Sequence, residues 1–224
     1  MATSTPSWRL SPSDFAFLWE ECKRCFYLKV ARRQYRPRTP FPRIFNIIDE
    51  LMKDFFQCKK SADISPSLPP GTIKYGDRWV QSEPIVIAGH SSTCNIRGRF
   101  DTVIEFEDGS YGVVDFKTTK TSGAHIPLYS RQLHAYACAL ERAAAGELKL
   151  TPVTKLGLLC VEPNEMSRGA DGRISYIGDV AWIECPRDDA GFEGFLADVL
   201  EVLELPEPPA AASTCEFCKY QARV

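Results

Sequence analysis

Two aspartates and a lysine near one turn could hold a divalent cation, and two cysteine pairs could hold a second metal. The first group lies in GRFDTVIEFEDGSYGVVDFKTT, residues 98–119, where Asp101 and Asp115 flank an EDG turn. If Glu107-Asp108-Gly109 forms a three-residue turn with Gly109 left-handed, Phe106 pairs with Ser110 and Asp101 falls opposite Asp115. Directly opposed residues carry Cβ atoms about 4.5–5.5 Å apart, close enough for two carboxylates to share one hard cation. Lys117, two residues beyond Asp115, shares its face. A two-residue Asp-Gly turn would slip the register by one and put the aspartates on opposite faces. There is also no site if both aspartates face solvent with Lys117 as a surface partner. Two like charges on a half-buried face resist desolvation and repel, and a bound cation resolves both problems.

The second group is CKRC, with Cys22 and Cys25, and CEFC near the other end, with Cys215 and Cys218. Two CxxC pairs are metal-ligand spacing, because a tight knuckle turns both thiolates toward one ion or cluster. The alternative is two independent structural or redox pairs. Four thiolates suit either a 4Fe-4S cluster or structural Zn²⁺, and spacing does not choose between them. The chain has nine cysteines, an odd count that argues against a closed disulfide framework. Cys58, Cys94, Cys138, Cys160 and Cys185 lack such spacing and are expected to be free thiols in the interior.

Charge is localised. The formal net charge is -2, which gives no overall signal for a polyanion partner. Residues 22–43, however, hold Lys23, Arg24, Lys29, Arg32, Arg33, Arg36, Arg38 and Arg43 with no acidic residue, interleaved with Phe26, Tyr27 and Tyr35. Cations for phosphates and aromatic faces for bases are what a groove for single-stranded nucleic acid needs. A solvated helix face is the alternative.

These residues need elements to position them. At 224 residues with 44% hydrophobic and 25% charged composition, the chain can bury a core as one main domain. No stretch reaches the roughly 20 apolar residues of a membrane span and the start lacks a secretory core, so a cytoplasmic address is expected. After a polar leader, residues 1–11, SDFAFLWEECKRCFYLKVARRQ reads as one helix capped by Ser13 or Asp14 and ending before Pro37. RIFNIIDELMKDFF repeats Ile44, Ile47, Ile48, Leu51 and Phe55 at helical spacing. Residues 61–78 read as loop. EPIVIAG, CNIRGRFDTVIEFE, SYGVVDFKTT, TKLGLLCVEP and ISYIGDVAWIEC read as strands, with a helix over about 127–145 and a last helix over about 188–204. The order predicts an α/β domain with a mixed central sheet flanked by helices. It divides into an N-terminal helical segment (1–60), a core (61–205) and a C-terminal linker with the second CxxC (206–224).

Asp101, then Asp115-Phe116-Lys117 ending an apolar strand, then Gln132 and Tyr136 in QLHAY, together resemble the PD-(D/E)XK nuclease superfamily and its RecB-like branch, which includes CRISPR-associated RecB-like exonucleases. The resemblance implies a restriction-endonuclease-like core and a Mg²⁺ or Mn²⁺ ion held by Asp101, Asp115 and the carbonyl of Phe116. It also implies that Lys117 orients or activates water, with Gln132 and Tyr136 near substrate. Glu83, before a strand, is a further candidate ligand or a surface residue; Tyr136 is equally a core aromatic. Several relatives close a 4Fe-4S cluster from one cysteine before the core and three after it, so the resemblance favours the cluster over zinc, although this chain offers two and two. The upstream histidine of the RecB-like pattern is missing, and Asn46 or Asp49 occupies its region. Substrate would be DNA, in single strands or at ends, bound through Lys23, Arg24, Lys29, Arg32, Arg33 and Arg36. The setting would be repair, recombination or CRISPR adaptation, with a helicase or integrase as partner. A non-catalytic module binding DNA or a partner is the competing reading, and a thiol redox protein a weaker one.

Overall fold

The computed structural model describes residues 6–37, 40–118 and 126–222; Arg38 and His125 lie outside the described residues. A seven-stranded mixed sheet carries helices on both faces. Its hub is β4 (Thr93–Phe106), antiparallel to β2 (Gly71–Gln81) along one edge and to β5 (Tyr111–Lys117) along the other. At its N-terminal end β4 pairs instead with β1 (Ser7–Leu10), in parallel, and with β3 (Ile85–Val86). β5 runs parallel to β6 (Val153–Arg168), joined through α5 (Ile126–Glu141), and β6 turns back into β7 (Ile174–Cys185).

The larger core lies between the sheet and the helices α1 (Pro12–Ala16), α2 (Leu18–Glu21), α3 (Lys23–Arg32), α5 and α6 (Asp189–Leu203), with Phe15, Phe26, Leu133, Leu140 and Leu200 fully enclosed. On the other face α4 (Arg43–Phe56) sets Met52 and Phe56 against Ile104, Val114 and Phe116. β5 is therefore covered on both sides and reads as a run of buried residues, as expected of a central strand next to a parallel neighbour. No helix among the described residues is long and apolar enough to cross a membrane.

Several elements depart from the sequence reading, each because tertiary pairing overrides local pattern. Ser7–Leu10 is a strand rather than leader. The expected helix over 13–34 is three short ones, broken at Phe17 and at Cys22, whose backbone is extended (φ -165°, ψ 106°). Its buried residues, Asp14, Phe15, Ala16, Trp19, Cys22, Cys25, Phe26 and Tyr27, span more than one helical stripe. A broken path lets all of them turn inward. Residues 71–78, read as loop, belong to β2. Of EPIVIAG only Ile85–Val86 pairs, and β6 runs on past TKLGLLCVEP to Arg168. α4 has its expected span, yet most of its apolar stripe is open: Ile44, Ile47, Leu51 and Phe55 are exposed beside Ile174, Tyr176 and Val180 of the β7 arm.

One carboxylate ties the loop before β4 to the end of α6. Glu204 accepts hydrogen bonds from the Ser92 amide (2.7 Å), the Ser92 and Ser91 hydroxyls, and His90 Nδ1. Burial alone would push it up, but these donors hold it down at about 2. A depressed carboxylate contributes stability above its unfolded value, and loses it as pH falls through the folded one. Glu204→Gln is therefore expected to lower stability at neutral pH by about 1 kcal/mol, with the gap to wild type closing between about pH 4.5 and pH 2; urea unfolding across that range checks it.

Candidate active site

The turn after β4 is the three-residue one. Gly109 is left-handed (φ 83°), the Phe106 amide donates to the Ser110 carbonyl at 2.8 Å and the Gly109 amide to Phe106 at 3.0 Å. Ladder pairs from Glu105–Tyr111 to Thr102–Val114 follow. The next rung is Asp101 with Asp115. There the main-chain ladder gives way to a side chain, and the Phe116 amide donates to Asp101 Oδ2 at 3.0 Å. A strand residue sends its N–H and C=O to the same edge, so the Phe116 carbonyl also faces Asp101.

Asp115 is only 3% exposed. Its Oδ1 accepts from Gln132 Nε2 at 3.2 Å. Its buried Oδ2 is held by the Lys117 ammonium in an ion pair. Burial, opposed by Lys117 and assisted by the nearby Asp101 carboxylate, pushes Asp115 up to about 7. Lys117 shifts upward too: its own burial works against the charge, but Asp115 outweighs it. The ammonium also lies 4.8 Å over the Tyr129 ring. A buried carboxylate, a second carboxylate beside it and a main-chain carbonyl on the same edge form a hard-oxygen donor set, which fits Mg²⁺ or Mn²⁺.

The sequence reading missed Lys53. Its ammonium reaches across from α4 to Asp101 Oδ1 at 3.0 Å, Asp49 at 2.8 Å and Asp77 at 3.6 Å. Burial disfavours its charge, yet Asp101 and Asp49 raise it on balance. The only local signal was the Asp49/Lys53 spacing, which reads as an ordinary surface pair on one helix face; its link to Asp101 is tertiary. Asn46 and Asp49 line the groove that opens between α4 and Phe116, Lys117 and Thr118.

The remaining candidates divide. Tyr136 donates to the Arg99 carbonyl at 2.8 Å, and burial raises it, so the phenol stays protonated. Gly98 leaves room for this approach, since a Cβ there would meet Pro12 at 2.7 Å and Tyr136 at 3.0 Å. Glu83 does not join the cluster. It pairs with Arg142 Nε at 3.4 Å, ten residues along from Gln132 and so about 15 Å away down the helix axis. His134 is structural, joining the Ser130 carbonyl (2.8 Å) to the Asp188 amide (2.8 Å). Cys94, Cys138, Cys160 and Cys185 are buried or half-buried, whereas Cys58 is exposed.

Most of the basic run has partners within the chain. Lys29 pairs with Asp14 and Arg32 with Glu207, each at 2.6 Å, and Arg24 donates to the Pro209 carbonyl at 3.2 Å. Arg36 pairs with Glu21 and donates to Cys215 Sγ at 3.2 Å. Lys23 sits 4.7 Å over the Trp19 ring, and Arg33 is exposed. Asp14 and Glu21 lie just before the run, whereas Glu207 and the Pro209 carbonyl lie far along the chain, on the C-terminal linker. The linker also brings the two CxxC pairs together: Cys22, Cys25, Cys215 and Cys218 have sulfurs within 4.8 Å of one another. They form a largely buried group able to hold a metal ion or cluster.

A family model, that of the PD-(D/E)XK nuclease superfamily, matches residues 71–223. Among solved structures, the crystal structure of SSO0001 is similar over 93% of this chain and 81% of its own, with a TM-score of 0.50 and 15% sequence identity; that is a likeness of fold. No curated protein matches the sequence.

Lys53→Met strands Asp49, Asp77 and Asp101 without their shared cation. The metal-free variant is expected to lose about 1–3 kcal/mol of stability, and millimolar Mn²⁺ to recover more stability in the variant than in wild type. Thermal unfolding with and without Mn²⁺ measures both; equal recovery would dissociate Lys53 from the cation site.

Proposed function

The chain belongs to the PD-(D/E)XK nuclease superfamily, and on that premise we propose that it cleaves DNA phosphodiesters with a divalent metal, trimming single strands or ends as an exonuclease. One observation carries the reading: Asp115 is buried on the central strand beside a second carboxylate, Asp101, with only the Gln132 amide and the Lys117 ammonium to balance it. Two adjoining carboxylates at that depth are a liability to the fold alone and suit a bound cation.

In this reading Asp101, Asp115 and the Phe116 carbonyl would hold Mg²⁺ or Mn²⁺, which when bound would polarise a scissile phosphate and lower the pKa of a bound water. Lys117 keeps its charge beside them and offsets negative charge developing on the phosphate. Gln132 fixes Asp115 through Oδ1 and so turns Oδ2 toward Lys117. Tyr136, protonated and bonded to the Arg99 carbonyl, holds β4 against α5 and is a positioning residue.

Strand contact is assigned to β2 and β4 as well as to the exposed residues of the basic run. Arg97 and Arg99, both exposed, precede Asp101 on β4; Arg97 lies 4.9 Å over the ring of Trp79, which is 57% exposed. Exposed aromatic and guanidinium faces leading to an acidic centre suit stacked bases and a tracked backbone.

The test is cleavage of end-labelled single-stranded DNA with Mn²⁺ or Mg²⁺. Activity is expected in the wild type, reduced at least about a hundredfold by Asp115→Ala and abolished by a chelator. It should decline as pH falls below about 7, where the Asp115 carboxyl takes up a proton that metal binding must release. Trp79→Ala should weaken strand binding by about 1–3 kcal/mol. Intact DNA from folded, metal-supplied wild type would leave a binding module on a nuclease fold.

A further inference from the structure

The cysteine cage has a size, and size discriminates between the two groups that four thiolates could hold. Cys25 Sγ lies 3.4 Å from Cys218 and 3.8 Å from Cys215, and Cys22 Sγ lies 3.9 Å from Cys218. All four sulfurs fall within 4.8 Å of one another. A tetrahedral ion with metal–sulfur bonds of about 2.3 Å separates its sulfurs by about 3.8 Å. A 4Fe-4S cubane seats each thiolate on a separate iron, one bond further from the centre, which spreads the sulfurs to about 6 Å or more. The cage fits the single ion and not the cluster that the resemblance to RecB-like nucleases implies.

We propose that Cys22, Cys25, Cys215 and Cys218 form a closed structural site for one Zn²⁺ ion. Three of the four are all but inaccessible, at 1%, 3% and 0% exposure for Cys22, Cys25 and Cys215, and Leu18, Ala212 and Phe217 pack around them. With Cys218 the four thiolates fill a tetrahedral shell and leave no open position, which is the character of a structural zinc site. Four thiolates around Zn²⁺ leave two negative charges, and the Arg36 guanidinium is bonded to the Cys215 sulfur at 3.2 Å to offset them.

Contacts outside the cage hold its dimensions. Tyr27 donates to the Leu205 carbonyl at 3.0 Å, Arg24 to Pro209 at 3.2 Å, and Arg32 pairs with Glu207 at 2.6 Å. Widening the cage to cubane size means drawing α3 away from the segment that starts α7 (Glu216–Gln221) and breaking this row together with the Arg36 bond. The two-plus-two arrangement has its own geometry: Cys22 and Cys215 stand immediately before α3 and α7, and Cys25 and Cys218 lie in their first turns. Each helix start is thus one knuckle of the tetrahedron. The assignment stands whether or not the acidic hairpin cleaves DNA.

The experiment is to express the full chain in medium supplemented with both iron and zinc, purify it without oxygen or chelator, and measure metal, acid-labile sulfide and the visible spectrum. Expected are about one zinc per chain, no labile sulfide and no broad visible band. Iron with matching sulfide and a brown chromophore would overturn the proposal, as would folded protein without stoichiometric metal. Cys218→Ser should lose the zinc and melt lower. If that variant is insoluble, exchange of the wild type into Co²⁺ gives the deciding readout: the intense visible bands of tetrahedral cobalt thiolate support the site, and their absence refutes it.

Discussion

A carboxylate on the covered central strand of a sheet is a charge the fold must compensate, and much of the site follows from that requirement. Asp115 sits between two helical layers with one oxygen held by Gln132 and the other facing Lys117. Neither partner removes the cost of burial, since the group is still driven upward to about 7. Asp101 adds a second negative charge directly across the hairpin and is itself balanced by Lys53 from the opposite layer. Two carboxylates and two ammonium groups are thereby concentrated where β4 and β5 stop pairing through their main chains. Such a concentration of opposed charges in low dielectric is unfavourable to assemble and useful to a divalent cation and a phosphate.

The hairpin was legible in the sequence because its information is local. Gly109 selects the turn, the turn sets the register, and the register puts Asp101 beside Asp115. α4, β7 and α6 were legible for the same reason, through hydrophobic period. What failed was information carried between distant segments. β1 is four residues whose pairing depends on β4, and β2 carries too many glycines and charges to alternate cleanly. Lys53 could not be linked to Asp101, nor Arg32 to Glu207, before the chain was folded. The partners of the basic run were split: Asp14 and Glu21 stand just before it, while Glu207 and the Pro209 carbonyl were out of reach of any local reading.

Those same cations connect the two ends of the molecule. α3 bonds along the linker through Arg24, Tyr27 and Arg32, and Arg36 continues to the thiols. The cysteine group closes what the row of polar contacts begins, and α3 in turn follows the helices that cover Leu10, Phe15 and Trp19 in the main core. The clamp thus supports one layer beneath β4, while Tyr136 and Gly98 fix α5 onto the same strand. The acidic centre depends on both, since Gln132 and Tyr129 come from α5.

The central claim is that Asp101 and Asp115 form a cation cradle. Its most direct test is anomalous diffraction from crystals grown with Mn²⁺, compared with crystals of Asp115→Asn. A manganese peak within bonding distance of both carboxylates and the Phe116 carbonyl, lost in the variant, is the predicted result. Manganese found elsewhere, with Asp115 still bound only to Gln132 and Lys117, would contradict the account.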